Sequence, residues 1–96
     1  MREITLEIYE GEKCGYHKLG QTFKWPQEAG KVCPWLLASA DAMIKILLHD
    51  GKLRWRYEGT PYEKVIDEDG ITTEYVRCPD PTEAGVVMKI TATKLN

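Results

Sequence analysis

A chain of 96 residues has room for one domain with a single modest core, spanning residues 1–96. Apolar residues make up 43% and charged residues 29%, as in a water-soluble folded domain; the formal charge of −2 argues against a general nucleic-acid binder, which carries a basic excess. Residues 1–5 lack the apolar centre of a secretory signal, and no run approaches the ~18 apolar residues of a membrane span, so the expectation is a cytoplasmic protein that engages no membrane.

In chain order, residues 3–9 alternate polar and apolar with Ile4, Leu6 and Ile8 on one side, the period of a half-buried strand. Residues 10–20 break that period with three glycines and carry Cys14 and His17. A short strand at 21–25 is stopped by Pro26, and 27–32 reads as a loop. A helix is predicted from Pro34 to about Asp50. Proline suits the first helical position, Cys33 becomes the N-cap residue, and Gly51 is expected to take the left-handed conformation past the end. Asp41, Lys45 and His49 form one polar stripe on a helix otherwise apolar around most of its circumference. That breadth suggests a helix wrapped by sheet and loops, or half-covered by a second copy in a homodimer.

Residues 52–57 alternate again, with Lys52, Arg54 and Arg56 opposite Leu53, Trp55 and Tyr57. The favoured reading is a strand with its aromatic side in the core; binding of an anion or a single strand by charge and stacking is the sharper one. Residues 62–66 and 71–77 flank Asp67-Glu68-Asp69-Gly70, a hairpin signal and not a calcium loop, because the length and terminal glutamate of an EF-hand are missing. Cys78-Pro79-Asp80-Pro81 ends that strand, and residues 85–93 form a last one. The predicted fold class is α+β: one central apolar helix on a small, mostly antiparallel sheet that curls toward a partly open barrel.

The chemistry-bearing residues are few. Three cysteines, an odd number, do not make a disulfide framework. With His17 they form a Cys3His inventory that suits zinc or an iron or iron–sulfur centre. The candidate metal ligands are thus Cys14, His17, Cys33 and Cys78, of which only Cys14 and His17 are spaced as a local chelating pair. Two other readings stand beside this one. The cysteines are simply small buried core residues, the protein then being an interaction module that docks a partner through its helix. Or Cys33 is a reactive thiolate at a helix N-terminus, with His17 as base in a thiol-dependent enzyme. His49, at the far end of the helix, is accounted for by the helix dipole.

The elements Cys14-x-x-His17, Lys18-x-Gly20 with Phe23 beyond, Val32-Cys33-Pro34-Trp35 and Arg77-Cys78-Pro79-Asp80-Pro81 resemble a family of small uncharacterised prokaryotic proteins of about 80–100 residues, common in anaerobic bacteria and archaea. The resemblance runs from Ile4 to Ile90 and implies that Cys14, His17, Cys33 and Cys78 belong to one site; it implies no activity. Two positions depart from that pattern: Tyr16 stands where the family has glycine, and Gln21 where it has aspartate.

Overall fold

The computed structural model describes residues 2–95. It contains strands β1 (Arg2–Glu10), β2 (Thr22–Trp25), β3 (Ile71–Arg77) and β4 (Val87–Lys94), one helix α1 (Pro34–Leu48), and a short 3-10 turn over Ala29–Lys31 within the segment expected to be a loop. The strands form one sheet in the order β2-β1-β4-β3, antiparallel throughout. The sheet is open and does not close into a barrel. The fold is a small α+β layer pair.

Period-two patterning decides which face is covered. Ile4, Leu6 and Ile8 of β1 lie opposite Ala92, Ile90 and Met88 of β4, and all six are buried. Against this face α1 sets Leu36, Ala40, Ile44 and Leu47, spaced four, four and three residues apart as one side of a helix requires. Phe23, Val32, Cys78 and Val86 complete the core. Full burial of each large aliphatic side chain stabilises by about 1.5–3 kcal/mol, which makes this layer contact the main source of stability. The opposite side of α1 carries the exposed Trp35 and Ile46 among polar residues, so burial is one-sided and not wrapped.

The helix ends two residues before the sequence suggested. The left-handed residue is Asp50 (φ 64°), not Gly51. Asp50 N–H donates to Leu47 O at 3.1 Å and Gly51 N–H to Ile46 O at 2.8 Å, the paired bonds of a Schellman ending. Gly51 is needed for closeness instead, because a Cβ there would stand 2.8 Å from Ile46 O. The Asp50 side chain is held by Arg2, whose buried guanidinium places every donor. Nε donates to Asp50 Oδ1 (2.8 Å), Nη1 to Gly70 O and Ala92 O (3.0 and 3.2 Å), and Nη2 to Asp67 O and Glu68 O (3.2 and 2.9 Å). The end of α1, the start of β1 and the turn before β3 are thereby tied at one pole of the sheet.

Two expected strands are absent. Residues 52–57 form no strand, and Leu53, Trp55 and Tyr57 are exposed along with their cationic neighbours. The alternation is real but has no sheet edge to join, because residues 64–66 occupy the edge of β3. There Thr73 N–H donates to Val65 O and Val65 N–H to Thr73 Oγ1, both at 2.9 Å. The expected strand at 62–66 is reduced to one bridge, Ile66 with Thr72. This crossing segment also buries an ion pair, Lys64 Nζ to Glu74 Oε2 at 2.8 Å, with side chains 1% and 7% exposed. At the other edge, Glu28 accepts Lys24 N–H with its carboxylate (3.0 Å) and gives its own N–H to Lys24 O (2.7 Å). Among the described residues no helix is long and apolar enough to cross a membrane.

Candidate metal centre

Chain direction places all four predicted ligands at the pole opposite the Arg2 clasp. β1 ends there at Glu10, paired with Val87 at the start of β4, and Arg77 at the end of β3 pairs with the same Val87. Cys14 and His17 follow β1, Cys78 follows β3, and Cys33 begins α1, whose other end is fixed to Arg2. Ser39 Oγ, one turn into α1, donates to Arg77 O at 2.9 Å and anchors the helix start beside Cys78. Lys13 and Glu83 form an ion pair at 2.6 Å between the two loops that carry Cys14 and Cys78.

His17 is the centre of the arrangement. It is only 3% exposed and lies between the rings of Tyr16 and Phe23, at centroid distances of 4.8 and 5.5 Å. Its Nε2 lies 2.9 Å from Cys33 N, whose N–H is an obligate donor, so Nε2 accepts. Nδ1 therefore carries the proton and donates to Gln21 Oε1 at 3.0 Å. That same oxygen accepts Lys18 N–H at 3.0 Å, which fixes the orientation of the amide. The Cys14 sulfur accepts two backbone N–H groups, from Tyr16 and His17, each at 3.4 Å.

Cys33 is the N-cap residue, as the sequence suggested, but caps no backbone N–H with its side chain. All three cysteines are free and touch one core: Cys78 is a buried member, and Cys14 and Cys33 pack against it half-buried. The structure thus brings His17 directly to Cys14 and Cys33 through hydrogen bonds. It brings Cys78 to the same pole without a bond to the other three. Among the described residues no three His, Cys, Asp or Glu side chains stand close enough to hold a metal ion.

Gln21 acts as the acceptor that orients His17, a role the sequence left open. Its signal was the spacing His-x-x-x-Gln across a glycine turn, where a side-chain amide folds back on the loop that precedes it. No family model matches the chain, and neither a curated protein nor a solved structure matches it significantly.

Proposed function

We propose that the protein is a small metal-binding or iron–sulfur accessory protein whose site is the pole formed by Cys14, His17, Cys33 and Cys78. The observation that carries the reading is the state of His17. Its Nδ1–H is committed to the carbonyl oxygen of Gln21, so its lone pair is on Nε2 and points to the start of α1. An imidazole that ligates a metal is held this way, its second nitrogen donating to a fixed acceptor that sets the tautomer and raises the basicity of the first. The sulfur of Cys14 accepts two backbone N–H groups beside His17, and Cys33 stands at the start of the helix with its own N–H on the imidazole. In this reading Cys14, His17, Cys33 and Cys78 would hold the metal, His17 through Nε2, the nitrogen that here accepts Cys33 N–H. The Lys13–Glu83 ion pair already ties the loops that carry Cys14 and Cys78 to one another. Three thiolates and one imidazole suit tetrahedral zinc or an iron centre.

The same observation weighs against His17 as the base for Cys33, because its lone pair is directed at the backbone N–H of Cys33 and not at the thiol. The test is elemental analysis and visible spectroscopy of protein purified without oxygen, followed by cobalt(II) titration of the metal-free chain. Stoichiometric zinc or iron, thiolate-to-cobalt absorption, and its loss on Cys14→Ser, Cys33→Ser or Cys78→Ser are expected. Three thiols that titrate as free in the freshly isolated protein, with no thiolate absorption on adding cobalt, sink the proposal.

A further inference from the structure

The face of the sheet that α1 leaves uncovered carries a second constructed feature, independent of the cysteines. The chain between α1 and β3 passes around the edge of β3 and sets Tyr57, Thr60 and Tyr62 beside Tyr75 and Arg77, enclosing a groove of about 360 Å³. That volume is within the range of small-ligand sites.

Its walls are aromatic and fixed in place. The ring of Tyr75 lies 4.8 Å from Tyr9 and 5.7 Å from Tyr62, the latter edge to face. Tyr9 O–H donates to Pro61 O at 2.5 Å, and Tyr62 O–H donates to the Glu10 carboxylate. Both bonds hold the crossing segment against the sheet. Burial, followed by the neighbouring Tyr9, pushes the Tyr75 phenol up to about 12, so it stays neutral and keeps its proton for donation.

Of the two charged groups lining the groove, the carboxylate is paired and the guanidinium is not. Glu74 reaches its lining, but Oε2 is neutralised by Lys64 and Oε1 accepts Tyr75 N–H at 3.0 Å. Arg77 has only a 3.5 Å contact from Nη2 to the Tyr62 hydroxyl and, among the described residues, no ion pair. The Glu10 carboxylate accepts that hydroxyl and keeps its charge, but among the described residues it forms no ion pair with Arg77. What remains is a free guanidinium fork at the rim of a three-tyrosine groove, and such a fork matches a carboxylate or phosphate.

We propose that this groove binds a planar aromatic ring bearing an anionic group, the ring resting against Tyr57, Tyr62 and Tyr75 and the carboxylate or phosphate on Arg77. Nucleotides and arenecarboxylates share that chemistry. The test is titration of 15N-labelled protein with adenosine monophosphate and, separately, with 2-naphthoate, each beside its neutral counterpart, adenosine or 2-naphthamide. At least one anionic probe is expected to give saturable shifts at residues 57–62 and 75–77. Its neutral counterpart and the Arg77→Gln variant are expected to weaken binding by about tenfold or more. Binding of only one probe assigns the ligand source. Amide dispersion of Arg77→Gln establishes that it is folded. The proposal is overturned if neither anion gives saturable shifts at millimolar concentration, if a neutral counterpart binds equally well, or if folded Arg77→Gln binds like the parent.

Discussion

Replacing Glu74 by glutamine leaves the Lys64 ammonium buried with no counter-charge, while changing side-chain volume very little. At 2.8 Å and an effective dielectric constant of about 20, the attraction removed is on the order of 6 kcal/mol. Part of that attraction already offsets the desolvation of two side chains that are 1% and 7% exposed, so breaking the pair by removing one partner costs about 3–5 kcal/mol. The Lys64 ammonium also lies 5.1 Å from the Tyr57 ring centre, but that contact survives the substitution and does not compensate. A domain of this size has about 5–15 kcal/mol in total, so Glu74→Gln consumes a large share of it. Each kcal/mol lowers Tm by about 4–8 °C in a domain of this length. Urea denaturation of Glu74→Gln and of the double variant Lys64→Met/Glu74→Leu measures the two halves of the argument. The single variant is expected to lose about 3–5 kcal/mol, and the double variant to fall near the parent or above it. A loss below about 1 kcal/mol in the single variant, the value of an exposed pair, refutes the burial argument.

His17→Ala removes the acceptor for Cys33 N–H and the donor to Gln21, and is expected to cost about 2–4 kcal/mol in chemical denaturation; equal stability of variant and parent contradicts this. The hydrogen bond from Arg2 holds the Asp50 carboxyl below its ordinary value of 3.8. The associated stability is therefore fully present above that value and is lost as pH falls through the lower folded one. Asp50→Asn, which keeps the left-handed backbone, should flatten the acid side of a Tm-against-pH profile, and an unchanged profile counts against the clasp. Iodoacetamide with mass spectrometry on the metal-free native protein should label Cys14 and Cys33 before the buried Cys78; the opposite order contradicts the packing. Gly51→Ala drives a Cβ to 2.8 Å from Ile46 O and is expected to lower Tm by several degrees, whereas a neutral effect means that the helix ending can re-form.

The strands and the helix were readable where one pattern determines one outcome. Ile4, Leu6 and Ile8 alternate because one face is covered, and Pro34 marks the helix start because it needs no N–H partner. Residues 52–57 misled because alternation reports the shape of a segment and not whether an edge is free to receive it. That edge was taken by residues 64–66, a non-local competition that local periodicity does not encode. The left-handed residue that ends the helix was misplaced by one position for a similar reason. Glycine is the usual left-handed residue, but Asp50 tolerates that conformation and gains Arg2 from 48 positions away. At the candidate metal centre, residue types pointed to Cys14, His17, Cys33 and Cys78. The tautomer of His17 and the part played by Gln21 emerge only when the glycine-rich loop is folded back on itself.

The two margins of the sheet bear on how the molecule behaves in a crowded solution. A strand with a free row of N–H and C=O groups recruits the next molecule and begins a polymer. Here β2 is four residues long, and both outward groups of Lys24 are claimed by Glu28. The margin of β3 is closed by Val65 and Ile66. The Lys24 N–H, with help from Lys31, keeps the Glu28 carboxyl below its usual range, so the guard on β2 remains charged into mild acid. A chain with one helix covering one face of its sheet is in this way protected against growth from either side.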